Sequence, residues 1–365
     1  MRYRTSAVAF GIMLMLIALP TACLGNPVGE QNSPTKTVTS LNSIEQGQAT
    51  ARVLGTEAIG VTEPSTGAPV EESETVYSED TKVWDVINDP AFGGYGRLIF
   101  PVDLTIEKSL TLREVGHILP WYNYVNPLRT VEIANYLKTK AEAGEQIFYD
   151  IYSDAEKAAD PAKKNTGLFF FRGNPGEKFA IVNAGGGFTY VGAMHDSFPH
   201  ALELAKKGFN AFGLIYRPGA MTASEDLARA IAFIFEHPDE LEVSTMGHSL
   251  WGGSAGARMA AWVGTHGTAA YGEAEYPRPA AVIMQYTGLS EVTGNEPPTY
   301  ACVGTSDGIA SFSVMQTRID QIKANGTNAE IEIFDNLPHG FGLGEGTIAE
   351  GWLDHAVKFW EDQKE

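Results

Sequence analysis

Two stretches of the chain set a serine between glycines in the spacing Gly-x-Ser-x-Gly: Gly252-Gly253-Ser254-Ala255-Gly256 and Gly304-Thr305-Ser306-Asp307-Gly308. Small residues around a serine let the backbone turn sharply from strand to helix and expose the hydroxyl. A hydroxyl is a weak nucleophile, so it needs a base to take its proton and an acid to orient that base. Ser254 has room for both downstream. Asp307 follows the β-like run Thr299–Val303, and His339 stands in Leu337-Pro338-His339-Gly340-Phe341-Gly342, just past the run Glu330–Phe334. For Ser306 the acid would have to be Asp320, within a helical pattern, or Asp335, and Asp307 would crowd its own turn. Ser249, in Gly247-His248-Ser249, belongs to the strand entering the first turn. The reading is therefore Ser254 as nucleophile, His339 as base and Asp307 as acid.

Upstream, Asn183-Ala184-Gly185-Gly186-Gly187-Phe188 directly follows the apolar run Phe179–Val182. Consecutive glycines let backbone N–H groups turn toward a developing negative charge with no Cβ in the way. The expected donors are Gly186, Gly187 and Ala255, the residue after the nucleophile. The plainer alternative is a glycine-rich turn that only ends a strand. A phosphate cradle would need a following Lys-Ser/Thr, which is missing. Phe188 and Tyr216 stand at strand ends and are expected to border the substrate, and Met194 and His195 lie close enough in sequence to line a pocket. The structural alternatives for Asp307 and His339 are a helix cap and a turn histidine. The remaining histidines show no His-Glu-x-x-His or other metal spacing, so neither metal nor organic cofactor is implied.

Together, Ala-Gly-Gly-Gly-Phe at 184–188, Trp-Gly-Gly-Ser-Ala-Gly at 251–256, Gly-Thr-Ser-Asp-Gly at 304–308 and Pro-His-Gly-Phe-Gly at 338–342 resemble the α/β-hydrolase family. The likeness covers about residues 165–365 and points toward bacterial esterases related to the hormone-sensitive-lipase and acetyl-xylan-esterase groups. Ala184 departs from it, because the family's oxyanion motif often begins with histidine; the backbone donors remain. The resemblance implies a mostly parallel central sheet flanked by helices and an acyl-enzyme mechanism. It further implies action on small acyl esters or acyl groups of glycans. A serine peptidase of the same fold would favour an N-terminal propeller or an amine pocket, and neither is visible. A non-catalytic binding lipoprotein on this scaffold would have no need of the ordered triad.

The elements around these motifs alternate. The stretch 168–182 reads as a hairpin turning at Asn174-Pro175-Gly176, followed by a helix at 198–207 ended by Gly208 and a strand at 211–216. Leu227–Phe235 and Ala257–Val263 have helical spacing, Ala280–Tyr286 and Thr299–Val303 read as strands, and Ser313–Lys323 and Trp352–Trp360 as helices. Strands separated by helices predict a parallel α/β sheet. Only Thr287 to Pro298 separates the strand at 280–286 from the next, which leaves no room for an inserted cap domain. Residues 81–165 form an N-terminal extension in which Val131–Ala143 looks helical and the rest is not assignable. Its aromatic residues, among them Trp84, Trp121, Tyr122 and Tyr124, suit either core packing or cover for the cleft.

The first residues read as an address. Met1-Arg2-Tyr3-Arg4 and the apolar run Ala7–Leu19 suit a signal peptide over 1–22, and Leu19-Pro20-Thr21-Ala22-Cys23 resembles a lipobox. Pro20 is atypical there, so plain secretory cleavage and a retained anchor stand beside lipidation of Cys23 as alternatives. Export is expected throughout, to the cell envelope if Cys23 carries lipid and otherwise by secretion. Residues 23–80 are rich in Ser, Thr, Glu, Gly and Pro and read as a flexible tether, leaving 81–365 as the catalytic domain. With 45 acidic against 26 basic residues the net charge is −19, which disfavours nucleic acid and anionic lipid surfaces, so any membrane contact would run through the N-terminal lipid. The two cysteines, Cys23 and Cys302, are too few for a disulfide scaffold. The sequence gives no indication of oligomeric state.

Overall fold

The computed structural model describes residues 76–363. The expected signal peptide, Cys23 and the expected tether as far as residue 75 lie outside the described residues. Eight strands form one sheet: β1 Phe148–Tyr149, β2 Gly167–Phe171, β3 Lys178–Asn183, β4 Asn210–Ile215, β5 Ser244–Gly253, β6 Ala281–Gln285, β7 Thr299–Gly304 and β8 Ala329–Phe334. Their spatial order is β1-β2-β4-β3-β5-β6-β7-β8. All neighbours from β4 to β8 run parallel, while β2 is antiparallel to both β1 and β4.

β2, β3, β4, β6 and β7 are almost wholly buried, which is why they read as unbroken apolar runs rather than as alternating patterns. The helix Ala220–Glu236 buries Ala223, Leu227, Ala230, Ile231 and Ile234, one stripe at helical spacing. The elbow helix Ala255–His266 packs on β5 and β6 and against that helix.

The expected hairpin at 168–182 is corrected. A turn does form, with Glu177 N–H donated to Asn174 O, but β2 and β3 do not pair, because β4 is inserted between them. Asn174-Pro175-Gly176 makes a turn, but the strand that pairs with β2 lies about 40 residues further on.

The extension also resolves. It holds short 3₁₀ segments, such as Leu112–Ile118, and the helix Pro127–Glu142, capped by the Asn126 side chain. Phe92, Leu98, Ile99, Leu112, Val115 and Leu137 join the single core. The folded body begins before residue 81: Tyr77 is buried, its amide bonds Asn135 Oδ1 at 2.8 Å, and its hydroxyl bonds Asp89 at 2.5 Å. These contacts place Tyr77 with the domain rather than with a tether reaching to residue 80.

Chain direction reverses across the sheet after β3, which has β4 on one side and β5 on the other. Loops leaving adjacent parallel strands on either side of such a reversal diverge and open a crevice at the C-terminal edge. The loop after β3 carries the three glycines and the loop after β5 carries Ser254. The elements expected to hold the chemistry are thus neighbours by topology.

Candidate active site

Ser254 sits between β5 and the elbow helix with φ 52° and ψ −114°. A side-chain-bearing residue rarely adopts this backbone, which costs on the order of 1–3 kcal/mol. The surrounding glycines make it possible. A Cβ on Gly256 would stand 2.6 Å from the carbonyl oxygen of Ala184, and one on Gly185 would stand 2.9 Å from the Cβ of Ser254 itself. Ser254 N–H is donated to Gln285 O on β6 at 2.9 Å, which fixes the turn against the next strand.

Three side chains predicted from the sequence meet here. His339 Nε2 lies 3.1 Å from Ser254 Oγ, and His339 Nδ1 lies 2.8 Å from Asp307 Oδ2. The other carboxylate oxygen of Asp307 accepts the N–H groups of Ile309 and Ala310 at 2.8 and 2.7 Å. Asp307 therefore also ends its own turn, so the cap and the partner of the imidazole are one residue doing both. The two side chains are 5% and 1% exposed, dry enough to keep their bond from competing with water. Ser306 is exposed, and Ser249 is buried in β5, accepting the indole N–H of Trp251 at 2.7 Å. Neither bonds His339.

The loop after β3 wraps over Ser254. The N–H groups of Gly186, Gly187 and Ala255 make no hydrogen bond to any described residue, whereas that of Gly185 is donated to Asp196 Oδ2 at 2.7 Å. Gly187 and Ala255 line a pocket of about 220 Å³ together with Ser254, Phe188, Arg258, Tyr286 and Thr287. Phe188, at φ 59°, stands on the pocket wall. Tyr216 does not border this pocket, and that expectation is corrected. It is buried, and its hydroxyl is donated to Ala184 O at 2.6 Å, so it holds the loop from beneath. His195 likewise faces away, with Nε2 3.0 Å from Gly340 O.

Several residues that the sequence reading missed support this arrangement. Asp196 is buried directly under the loop and the elbow, where its carboxylate accepts Gly185 N–H and the hydroxyls of Tyr122, at 3.1 Å, and Tyr286. Burial pushes its pKa up to about 6, against these hydrogen bonds, which favour the charged form. Burial, with Asp196 alongside, also pushes the Tyr122 and Tyr286 hydroxyls well above their ordinary range. Asn123 donates its side-chain amide to His339 O at 2.7 Å, and Trp121 stacks on Tyr190 at 5.4 Å between ring centres. The extension is therefore part of the site. No local pattern announces it, because Tyr122 and Asp196 are 74 residues apart and Asn123 and His339 are 216 apart.

No family model matches the chain, and no curated protein matches it. Solved structures do. The chain is similar to an acetyl ester-xyloside bifunctional hydrolase from Caldicellulosiruptor lactoaceticus, with a TM-score of 0.52 and 22% identity, over 59% of this chain and 95% of that one. It is also similar to a thermophilic esterase from the planctomycete Thermogutta terrifontis, with a TM-score of 0.48 and 20% identity, over 54% of this chain and 89% of that one. The strand order and the first of these likenesses establish the α/β-hydrolase fold, mostly parallel and with no cap domain after β6.

Proposed function

We propose that this protein is an exported serine carboxylesterase, held in the cell envelope through lipid on Cys23. Its substrates are small acyl esters or acyl groups on glycans. The observation that carries the activity is the unbroken chain Ser254 Oγ, His339, Asp307 at a strained turn, with unengaged amides beside it. Ser254 Oγ attacks the ester carbonyl while His339 Nε2 takes its proton. Asp307 holds the imidazole in the tautomer with Nε2 free and stabilises the imidazolium that forms. The carbonyl oxygen gains charge near the N–H groups of Gly186, Gly187 and Ala255, each contributing about 3 kcal/mol to the transition state. His339 then returns the proton to the departing alcohol and leaves an acyl group on Ser254. Water, deprotonated by the same imidazole, attacks that ester; the acid departs and the proton returns to Oγ.

The open pocket of about 220 Å³ suits short acyl groups better than long chains. The likeness in fold to a hydrolase of acetyl esters and xylosides supports keeping glycan esters within the proposal. The test is hydrolysis of p-nitrophenyl acetate, butyrate and longer esters by the protein and its Ser254→Ala variant. The variant is expected to lose at least about 10³-fold in kcat. A fluorophosphonate probe should label Ser254 and not Ser306. Undiminished turnover by Ser254→Ala would remove the nucleophile assignment, and no turnover of any ester by the wild type would remove the esterase reading.

A further inference from the structure

Arg258 lies one turn beyond Ser254 on the elbow helix, about 6 Å along its axis and on the same face. It lines the same pocket as the serine. Its side chain makes no hydrogen bond or ion pair with any described residue. Most other described arginines are engaged: Arg129 with Glu132, Glu203 and Glu345, Arg217 with Asp160 and Asp226, and Arg229 with Glu236 and Glu273. Arg318 also has no hydrogen bond or ion pair, but it lines a different pocket, beside Glu291 and Glu296. Acids raise the pKa of Arg129, Arg217 and Arg229, whereas burial lowers that of Arg258 and no carboxylate offsets it. An arginine stays charged even so. Although the chain's net charge is −19, no acid among the described residues pairs with Arg258.

The guanidinium is held by other means. It lies 5.8 Å from the ring centre of Trp262, and Trp262 stacks in parallel on Phe188 at 6.0 Å. A cation resting on an aromatic face keeps its N–H groups free for an in-plane partner. Space is left for that partner: a Cβ on Gly288 would find only Arg258 Nη2, at 3.9 Å.

We propose that Arg258 recognises an anionic group, so that the preferred ester carries a carboxylate a few atoms from its scissile carbonyl. This rests on the esterase reading of Ser254. The carboxylate can belong to the acyl half, as in a half-ester of a dicarboxylic acid, or to the alcohol half, as in an acylated hydroxy acid. A planar guanidinium pairs with either through two parallel hydrogen bonds.

The experiment compares kcat/KM for matched anionic and neutral esters in the wild type, Arg258→Met and Arg258→Lys. The acyl arm is p-nitrophenyl hydrogen succinate against p-nitrophenyl butyrate; the alcohol arm is 4-acetoxybenzoate against 4-acetoxybenzamide. In one arm, the anionic-to-neutral ratio is expected to fall by about 10- to 100-fold in Arg258→Met and by less in Arg258→Lys. In the wild type that ratio should also fall as salt rises from about 0.05 to about 0.5 M. Ratios unchanged by Arg258→Met in both arms would overturn the proposal. If that variant does not fold, wild-type ratios indifferent to salt in both arms would overturn it. Calorimetric titration of Ser254→Ala with monomethyl and dimethyl succinate separates recognition from cleavage. The same titration with 4-acetoxybenzoate and 4-acetoxybenzamide covers the alcohol half. Tighter binding of the anion in either pair upholds the anion site even if no ester is cleaved, and equal affinities in both pairs sink it while leaving the esterase reading to its own test.

Discussion

Asp196 is the residue whose titration bears most directly on the site. Its pKa, raised to about 6 by burial, means that between about pH 4 and 6 the unfolded chain has released a proton that the folded protein keeps. The contribution of this group to stability therefore falls as pH rises through that window, by on the order of 3 kcal/mol. His195 and His200, lowered by burial to about 4 and about 3, act in the opposite sense and cost stability as pH falls below about 6.5. Comparison with Asp196→Asn isolates the first effect. The stability of the wild type relative to that variant, from urea unfolding, is expected to shrink by about 2–3 kcal/mol between pH 4 and 7. A pH-independent difference would show that Asp196 titrates as an ordinary carboxyl. Ser254, Asp307 and His339 were legible as residues because each sits in a short motif with its own backbone reason. Asp196 was not, since its partners Gly185, Tyr122 and Tyr286 come from three separate segments. Arg258 was readable in principle, standing four positions after the elbow serine on a helix that the sequence predicts. What the sequence could not supply was the absence of a partner.

At the scale of elements, the elbow depends on how closely the strand-to-helix turn meets the loop after β3. Gly256→Ala would push a methyl into the carbonyls of Asn183 and Ala184. Because backbone on both sides is fixed by the sheet, the loss should exceed about 2 kcal/mol in denaturant unfolding, well beyond an ordinary surface substitution. A loss below about 0.5 kcal/mol would mean that the two loops are not held against each other as described. Strands and helices beyond residue 165 were legible because buried parallel strands and amphipathic helices differ sharply in period. The pairing of β2 was not, since Asn174-Pro175-Gly176 signals a turn without saying which strand will lie alongside. Residues 81–125 were opaque for a different reason. Their 3₁₀ segments are too short to show a period, and their apolar residues pack by tertiary contact alone.

For the molecule as a whole, the address and the catalytic body make separable claims. If Cys23 carries lipid, Cys23→Ser should move the protein from the membrane fraction to the soluble envelope fraction, with ester hydrolysis per molecule unchanged. An unaltered membrane fraction would refute the lipid anchor. The second cysteine cannot stand in for it, because Cys302 is fully buried in β7. Net charge was legible at once and remains a property of the surface. The insertion of β4 between β2 and β3 governs how the chain reaches this state. As the polypeptide emerges, β2 and β3 precede the strand that separates them, and neither gains a neighbour on that side until β4, about 40 residues after β2 and about 27 after β3. Until then both present open apolar edges, that of β2 with three phenylalanines, the kind that seed misassembly. Docking of β4 is thus the committing event for the N-terminal half, and substitutions such as Gly213→Val, where a side chain would strike Phe198, should slow refolding as well as lower stability.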